Sequence, residues 1–146
     1  MRLIANGFVA DLPEGWEDRS MITLVGRPEG TGFAPNVVVM RQRVAPQTSI
    51  EAYAREQRAA TEAEIPGLEI IDERTATVGG APAFQRLQRF SAHGLQLQQA
   101  QTYVLGDGLV FVLTCTATLE QFNHHIAHFR QVVDSFRLFN PETATL

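Results

Sequence analysis

The stretch "APAFQRLQRFSAHGLQLQQAQTYVLGDGLVFVLTCTAT", residues 81–118, holds three apolar-rich runs, and its reading decides the fold. The runs are "APAFQRLQRF" (81–90), "LQLQQAQTYVL" (95–105) and "LVFVLTCTAT" (109–118), separated by short segments containing Gly94, Gly106 and Gly108. Runs of this length joined by such turns read as strands paired antiparallel. The last is the most apolar and is expected at the sheet centre. Upstream, "LEIIDERTATV" (68–78) turns at Gly79-Gly80 into the first run, so four strands follow one another.

Two helices flank this block. Thr48 with Glu51 fits a capping box opening a helix to about Ile65, where Pro66-Gly67 stops it. Thr118 with Gln121 fits a second box, opening a helix to about Asp134 that is followed by "SFRLF". Further upstream, "NVVVMRQRV" (36–44) and "SMITLVGR" (20–27) read as strands around the Gly- and Pro-rich loop "RPEGTGFAP". "LIANGFVADLP" reads as one or two short strands closed by Pro13 and Gly15. The expected fold is α+β: an α/β/α sandwich with a largely antiparallel sheet of six or seven strands covered by two main helices. It forms a single domain over 1–146, with a core of about residues 2–139 and the polar tail "NPETATL" at 140–146.

Composition narrows the function. The net charge is −4 with both signs interspersed, which argues against nucleic acid as a partner. Cys115 is the only cysteine, so neither an intrachain disulfide nor a cysteine-based zinc site can be built. No apolar run approaches the roughly 20 residues of a membrane span, and "MRLIANGFVADLPEGW" lacks the pattern of a signal peptide. A soluble, cytoplasmic protein is expected.

The histidine-rich "LEQFNHHIAHFRQVVDSF" (119–136) is the obvious candidate for a metal or catalytic site. On a helical wheel, however, Phe122, Ile126, Phe129 and Val133 form the buried stripe, and His124 and His128 fall opposite it. A zinc-protease helix would also need Glu at position 125, and only His93 remains as another histidine. Cys115 alternates with Phe111, Leu113 and Ala117, as a core residue does. Asp72 and Glu73 are neighbours on a strand, face opposite sides and suit solvation. No nucleophile motif, dinucleotide fingerprint or phosphate loop is present, so no catalytic residue, metal or cofactor is assigned.

Two glutamines carry more information. Gln57 falls in the least polar stripe of the first helix, with Ile50, Tyr53, Ala54 and Thr61. Gln101 shares a strand face with Leu95, Leu97, Tyr103 and Leu105, and Gln99 lies beside it. A glutamine on an apolar face needs partners for its amide. Those partners are either inside the chain or on a ligand such as an apolar helix with small or hydroxyl-bearing residues.

Several segments, taken in order, resemble the DcrB-like domain family, whose fold is the PsbP-like α/β/α sandwich: "FVADLPEGW", "NVVVMRQR", "SIEAYAREQRAATEAEIPGLEI", "VGGAPAFQRLQRF", "QQAQTYVLGDGLVFVLTCTAT" and "FRQVVDSF". Within that family the chain is most similar to the Eag chaperones of type VI secretion, at "YAREQRAATEAEIPG", "QQAQTYVL", "LTCTAT" and "NHHIAHF". This resemblance implies a non-enzymatic cytoplasmic adaptor and homodimer that binds the apolar N-terminal transmembrane helices of a secreted effector. It implies polar contacts from Gln57, Gln101 and Asn36, with Val38, Met40, Leu97 and Tyr103 as apolar lining. Periplasmic lipoproteins of the family carry a signal peptide and a lipobox cysteine, a pattern this sequence does not show. The alternative expectation is an accessory domain of the same fold that binds a small ligand or a protein, with no role in secretion. A third is an enzyme in which His93 and the histidine helix hold a metal.

Overall fold

Side chains alternate between two faces along a strand, and the long runs of this sequence follow that period. The computed structural model describes residues 2–5 (backbone only), 7–28 and 30–139. In it β1 (Arg2–Ala5) and β2 (Phe8–Asp11) pair as a hairpin that forms its own two-stranded sheet. The remaining strands are β3 (Met21–Val25), β4 (Asn36–Arg43), β5 (Glu69–Val78), β6 (Ala81–Ala92), β7 (Leu95–Gly106) and β8 (Leu109–Thr118). They build one six-stranded antiparallel sheet in the order β3-β4-β8-β7-β6-β5. Helix α1 (Ile50–Glu64) links β4 to β5, and α2 (Phe122–Ser135) follows β8. The six-stranded sheet and its interior β8 agree with the expectation, and the segment at 3–13 supplies two strands outside it. The tail 140–146 lies outside the described residues.

The turns are set by backbone chemistry. His93-Gly94 and Asp107-Gly108 each place both residues at positive φ, as a two-residue hairpin turn of the right hand requires. His93 is therefore a turn residue. Both expected capping boxes are displaced. At α1 the cap is Ser49, one residue beyond Thr48, and its hydroxyl accepts from the Ala52 backbone N–H at 3.1 Å. Thr48 instead closes a turn onto the Ala45 carbonyl. At α2 the cap position is Gln121 and makes no side-chain cap bond. Thr118 ends β8, and its hydroxyl accepts from the Gln121 N–H in the turn before the helix. Ser49→Ala should therefore cost about 1 kcal/mol in a urea titration. Thr48→Ala should cost clearly less, and the reverse order would return the cap to Thr48.

The two faces of the sheet hold separate cores. Beneath α2, Leu113, Cys115 and Ala117 of β8 meet Val37, Val104, Phe122, Phe129 and Val133. Beneath α1, Ile50, Tyr53 and Ala54 meet Tyr103, Val110 and Val112, with the Tyr53 and Tyr103 rings edge to face at 5.3 Å. β8 is thus buried on both sides over much of its length, which explains its near-continuous apolar composition. The stripe read for α2 is the face that packs: Phe122, Phe129 and Val133 are buried and Ile126 is half-buried against the same core.

Cys115 is a core residue, and burial pushes its thiol from 9.0 up to about 12. A raised acid favours the fold while neutral, so its contribution is full below pH 9 and is lost as pH climbs towards 12. A thiol reagent at pH 8 should leave the native protein unlabelled and label it promptly in urea. Rapid native labelling would contradict this placement.

Candidate binding face of the sheet

Register sorts the α1 side of the sheet into rows that run across the strands. One row reads Met40, Val112, Tyr103, Phe84 from β4 to β6. The next reads Val38, Thr114, Gln101, Arg86, and reaches Glu73 on β5. The third reads Asn36, Thr116, Gln99, Gln88. α1 packs on the apolar end of this face, over Tyr103, Val110 and Val112. Beyond the helix the surface turns polar, and Asn36, Val38, Gln99, Gln101 and Thr114 are all half-buried.

Six of the seven residues singled out from sequence lie on this face of the sheet: Asn36, Val38, Met40, Leu97, Gln101 and Tyr103. Gln57 is half-buried on α1, one turn beyond the buried Tyr53 and Ala54. Their exposures differ. Met40 is 43% exposed, whereas Leu97 is buried and Tyr103 lies within the α1 core. Tyr103 is therefore floor beneath the helix and does not line the open strip. Asn36 donates its amide N–H to the Ala34 carbonyl at 3.0 Å.

The amides are tied into two networks. Arg86 donates to the Tyr103 hydroxyl at 2.8 Å, to the Ala54 carbonyl at 2.6 Å and to Glu73 at 3.0 Å. The Tyr103 hydroxyl donates to Gln101 Oε1 at 2.9 Å, and Gln101 Nε2 donates to Thr114 Oγ1 at 3.3 Å. In the next row Gln88 Nε2 donates to Gln99 Oε1 at 2.9 Å, and Gln99 Nε2 donates to Thr116 Oγ1 at 3.1 Å. Gln88 is 1% exposed, and its Oε1 is buried without a partner among the described residues. Burial raises the Tyr103 hydroxyl above its usual value, while the charge and hydrogen bond of Arg86 pull the other way. Tyr103 is thus a neutral donor at physiological pH.

Sequence reading missed Arg86, Gln88, Thr114 and Thr116. The alternation in "LTCTAT" separates the threonines from Leu113, Cys115 and Ala117 and offers a signal for two of them. Arg86 offers none, because an arginine in a strand is ordinarily exposed. Asp72 and Glu73 do face opposite sides, but Glu73 also binds Arg58 and holds the buried Arg86, so solvation is not its main role.

The histidines lie away from these rows. His124 and His128 are exposed, and the half-buried His125 ring lies near His128 and Phe129. Among the described residues no group of three His, Cys, Asp or Glu side chains converges, and no helix is long and apolar enough to cross a membrane.

The family model for DcrB matches residues 10–135. The chain belongs to the DcrB family. No curated protein matches it. Among solved structures, this DcrB-family chain is similar to PA94 of Pseudomonas aeruginosa, a protein of unknown function described as a putative regulator. The TM-score is 0.86 at 17% identity, covering 96% of this chain and 97% of that one. It is also similar to LpqN of Mycobacterium tuberculosis, which is involved in cell envelope biogenesis (TM-score 0.60, 16% identity, 84% and 85% covered). A third is the cyanobacterial PsbP of Synechocystis sp. PCC 6803 (TM-score 0.58, 12% identity, 90% and 85% covered). At these identities the likeness is one of fold, and the PsbP-like α+β architecture read from sequence holds.

Proposed function

We propose that this DcrB-family chain is a non-enzymatic chaperone of type VI secretion. In this reading it shields apolar N-terminal helices of an effector in the cytoplasm, against the strip of sheet beside α1. The observation that carries it is the composition of that strip. Val38 and Met40 provide apolar area, while Gln101, Thr114 and Asn36 stand beside them on one face. An apolar helix laid there would remove its side chains from water, at roughly 1.5–3 kcal/mol for each large one fully buried. The polar row would meet any hydroxyl or carbonyl the helix carries, a helix-in-groove mode.

A homodimer is part of the proposal. Among the described residues β3 pairs only with β4 and its outer edge has no partner strand, and Met21, Ile22, Leu24 and Val25 are all exposed. An apolar edge strand of this kind ordinarily needs cover, and a second copy would supply it.

The test is capture. Co-expressed with an effector's N-terminal helical segment, the protein should copurify with it and keep it soluble. Met40→Asp and Gln57→Glu should each cut the recovered complex at least tenfold, with unchanged circular dichroism. Undiminished recovery with both changes would sink the binding face.

A second reading has one observation in its favour. On the opposite side, a cleft of about 400 Å³ lies between α2 and the sheet, lined by Ile126, Phe129, Leu87, Ala100 and Arg130. Its size suits a small ligand, as an accessory domain of this fold would bind.

A further inference from the structure

The row through Gln101 differs from the row through Gln99 in having a fixed charge at its end. An arginine can only donate, so the Tyr103 oxygen must accept from Arg86. Tyr103 is 2% exposed, so its own proton needs an acceptor inside the protein, and Gln101 Oε1 is the one in contact. That contact orients the amide. Oε1 faces Tyr103, and Nε2 faces Thr114 and the open strip. One Nε2 hydrogen goes to Thr114 Oγ1, and the second has no acceptor among the described residues. Thr114, already accepting, keeps a hydroxyl proton that can turn to a ligand. In the neighbouring row both amides can turn over together, because among the described residues neither Gln88 nor Gln99 bonds a charged side chain.

We infer that Arg86, through Tyr103, locks the Gln101–Thr114 row as a donor surface, so that the bound helix is selected for a neutral hydrogen-bond acceptor at the position lying on it. Arg86 and Tyr103 are positioning residues, and Gln101 and Thr114 make the contact. The acceptor is a hydroxyl oxygen of Ser or Thr, or a backbone carbonyl freed near a helix break. A side chain that only donates meets the outward Gln101 N–H as a second donor, and its one acceptor in this row is the remaining lone pair of the Thr114 hydroxyl. The inference rests on the helix-binding reading above and adds a polarity to it.

The experiment uses lysine-flanked Leu/Ala helical peptides of about 21 residues, long enough to span a bilayer. Each carries one O-methylserine or one norvaline, placed in turn at four consecutive central positions so that one faces the strip. The two residues share a shape, and only O-methylserine has an acceptor. It has no donor. Binding to the full chain is measured in one detergent by fluorescence anisotropy. At one position the ether peptide should bind about fivefold more tightly than its norvaline twin, the worth of one neutral hydrogen bond. Tyr103→Phe, which removes the relay proton and keeps the ring, should shrink that ratio to within twofold. Gln101→Glu, which cannot donate, should bring it to one or below, and serves alone if Tyr103→Phe does not fold. A ratio of one at all four positions, or a ratio retained in either folded variant, overturns the inference while helix binding stands. If neither peptide binds at any position, the helix-binding reading fails, and the inference with it.

Discussion

Arg86→Met is expected to destabilise the protein by about 3 kcal/mol or more, the scale for removing one partner of a buried ion pair. Arg86 is 1% exposed, and its guanidinium joins three elements. It binds Glu73 on β5, the Tyr103 hydroxyl on β7 and the Ala54 carbonyl on α1. Methionine fills much of the space but takes one donor each from the buried Tyr103 oxygen and Ala54 carbonyl and leaves Glu73 without its buried partner. The Phe84 and Tyr103 rings also lose the cation that sits 5.7 and 5.5 Å from their centres. Arg58 offers the internal control. It binds the same Glu73 carboxylate from the exposed side of α1, so its loss is screened by solvent. Arg58→Met should shift a urea midpoint by only a small part of the Arg86→Met shift. Equal shifts would mean that Glu73 matters and the buried guanidinium does not.

The pair also shows what a sequence conveys. Strand succession, the hairpin turns and the α2 stripe were legible because each rests on local chemistry: period two, paired positive-φ residues, and apolar spacing of three and four. Gln101 was legible as an amide on an apolar face. Its partners were not, since they lie across strand register, and register appears only when β6, β7 and β8 are aligned. Arg86 meets Gln101 through that alignment and Ala54 through the docking of α1. Thr48 and Ser49 both suit the cap by residue type, and one residue of backbone decides for Ser49. Tyr103 shares the strand face of Gln101, yet α1 covers it. Sequence gives its face but not how far the helix extends over that face.

Leu113→Ala is the second large effect, at about 3 kcal/mol, because Leu113 is fully buried at the centre of the sheet and its truncation leaves a cavity in the α2 core. Its neighbour Thr114 points to the other side of β8 and is half-buried on the open strip. Thr114→Ala should cost about 1 kcal/mol or less, the worth of its bond from Gln101. The two substitutions are adjacent on one strand, so secondary-structure propensity and position in the sheet nearly cancel between them. The difference then reports which face is filled by the chain itself. Urea titrations of both variants, without client, would read it directly. For client capture the ranking should invert among molecules that remain folded. Thr114→Ala should weaken peptide binding at the acceptor position, and Leu113→Ala, assayed well below its unfolding midpoint, should not. If Thr114→Ala proved as damaging to stability as Leu113→Ala, the α1 side of β8 would be closed core along its whole length, with no face left for a helix to bind.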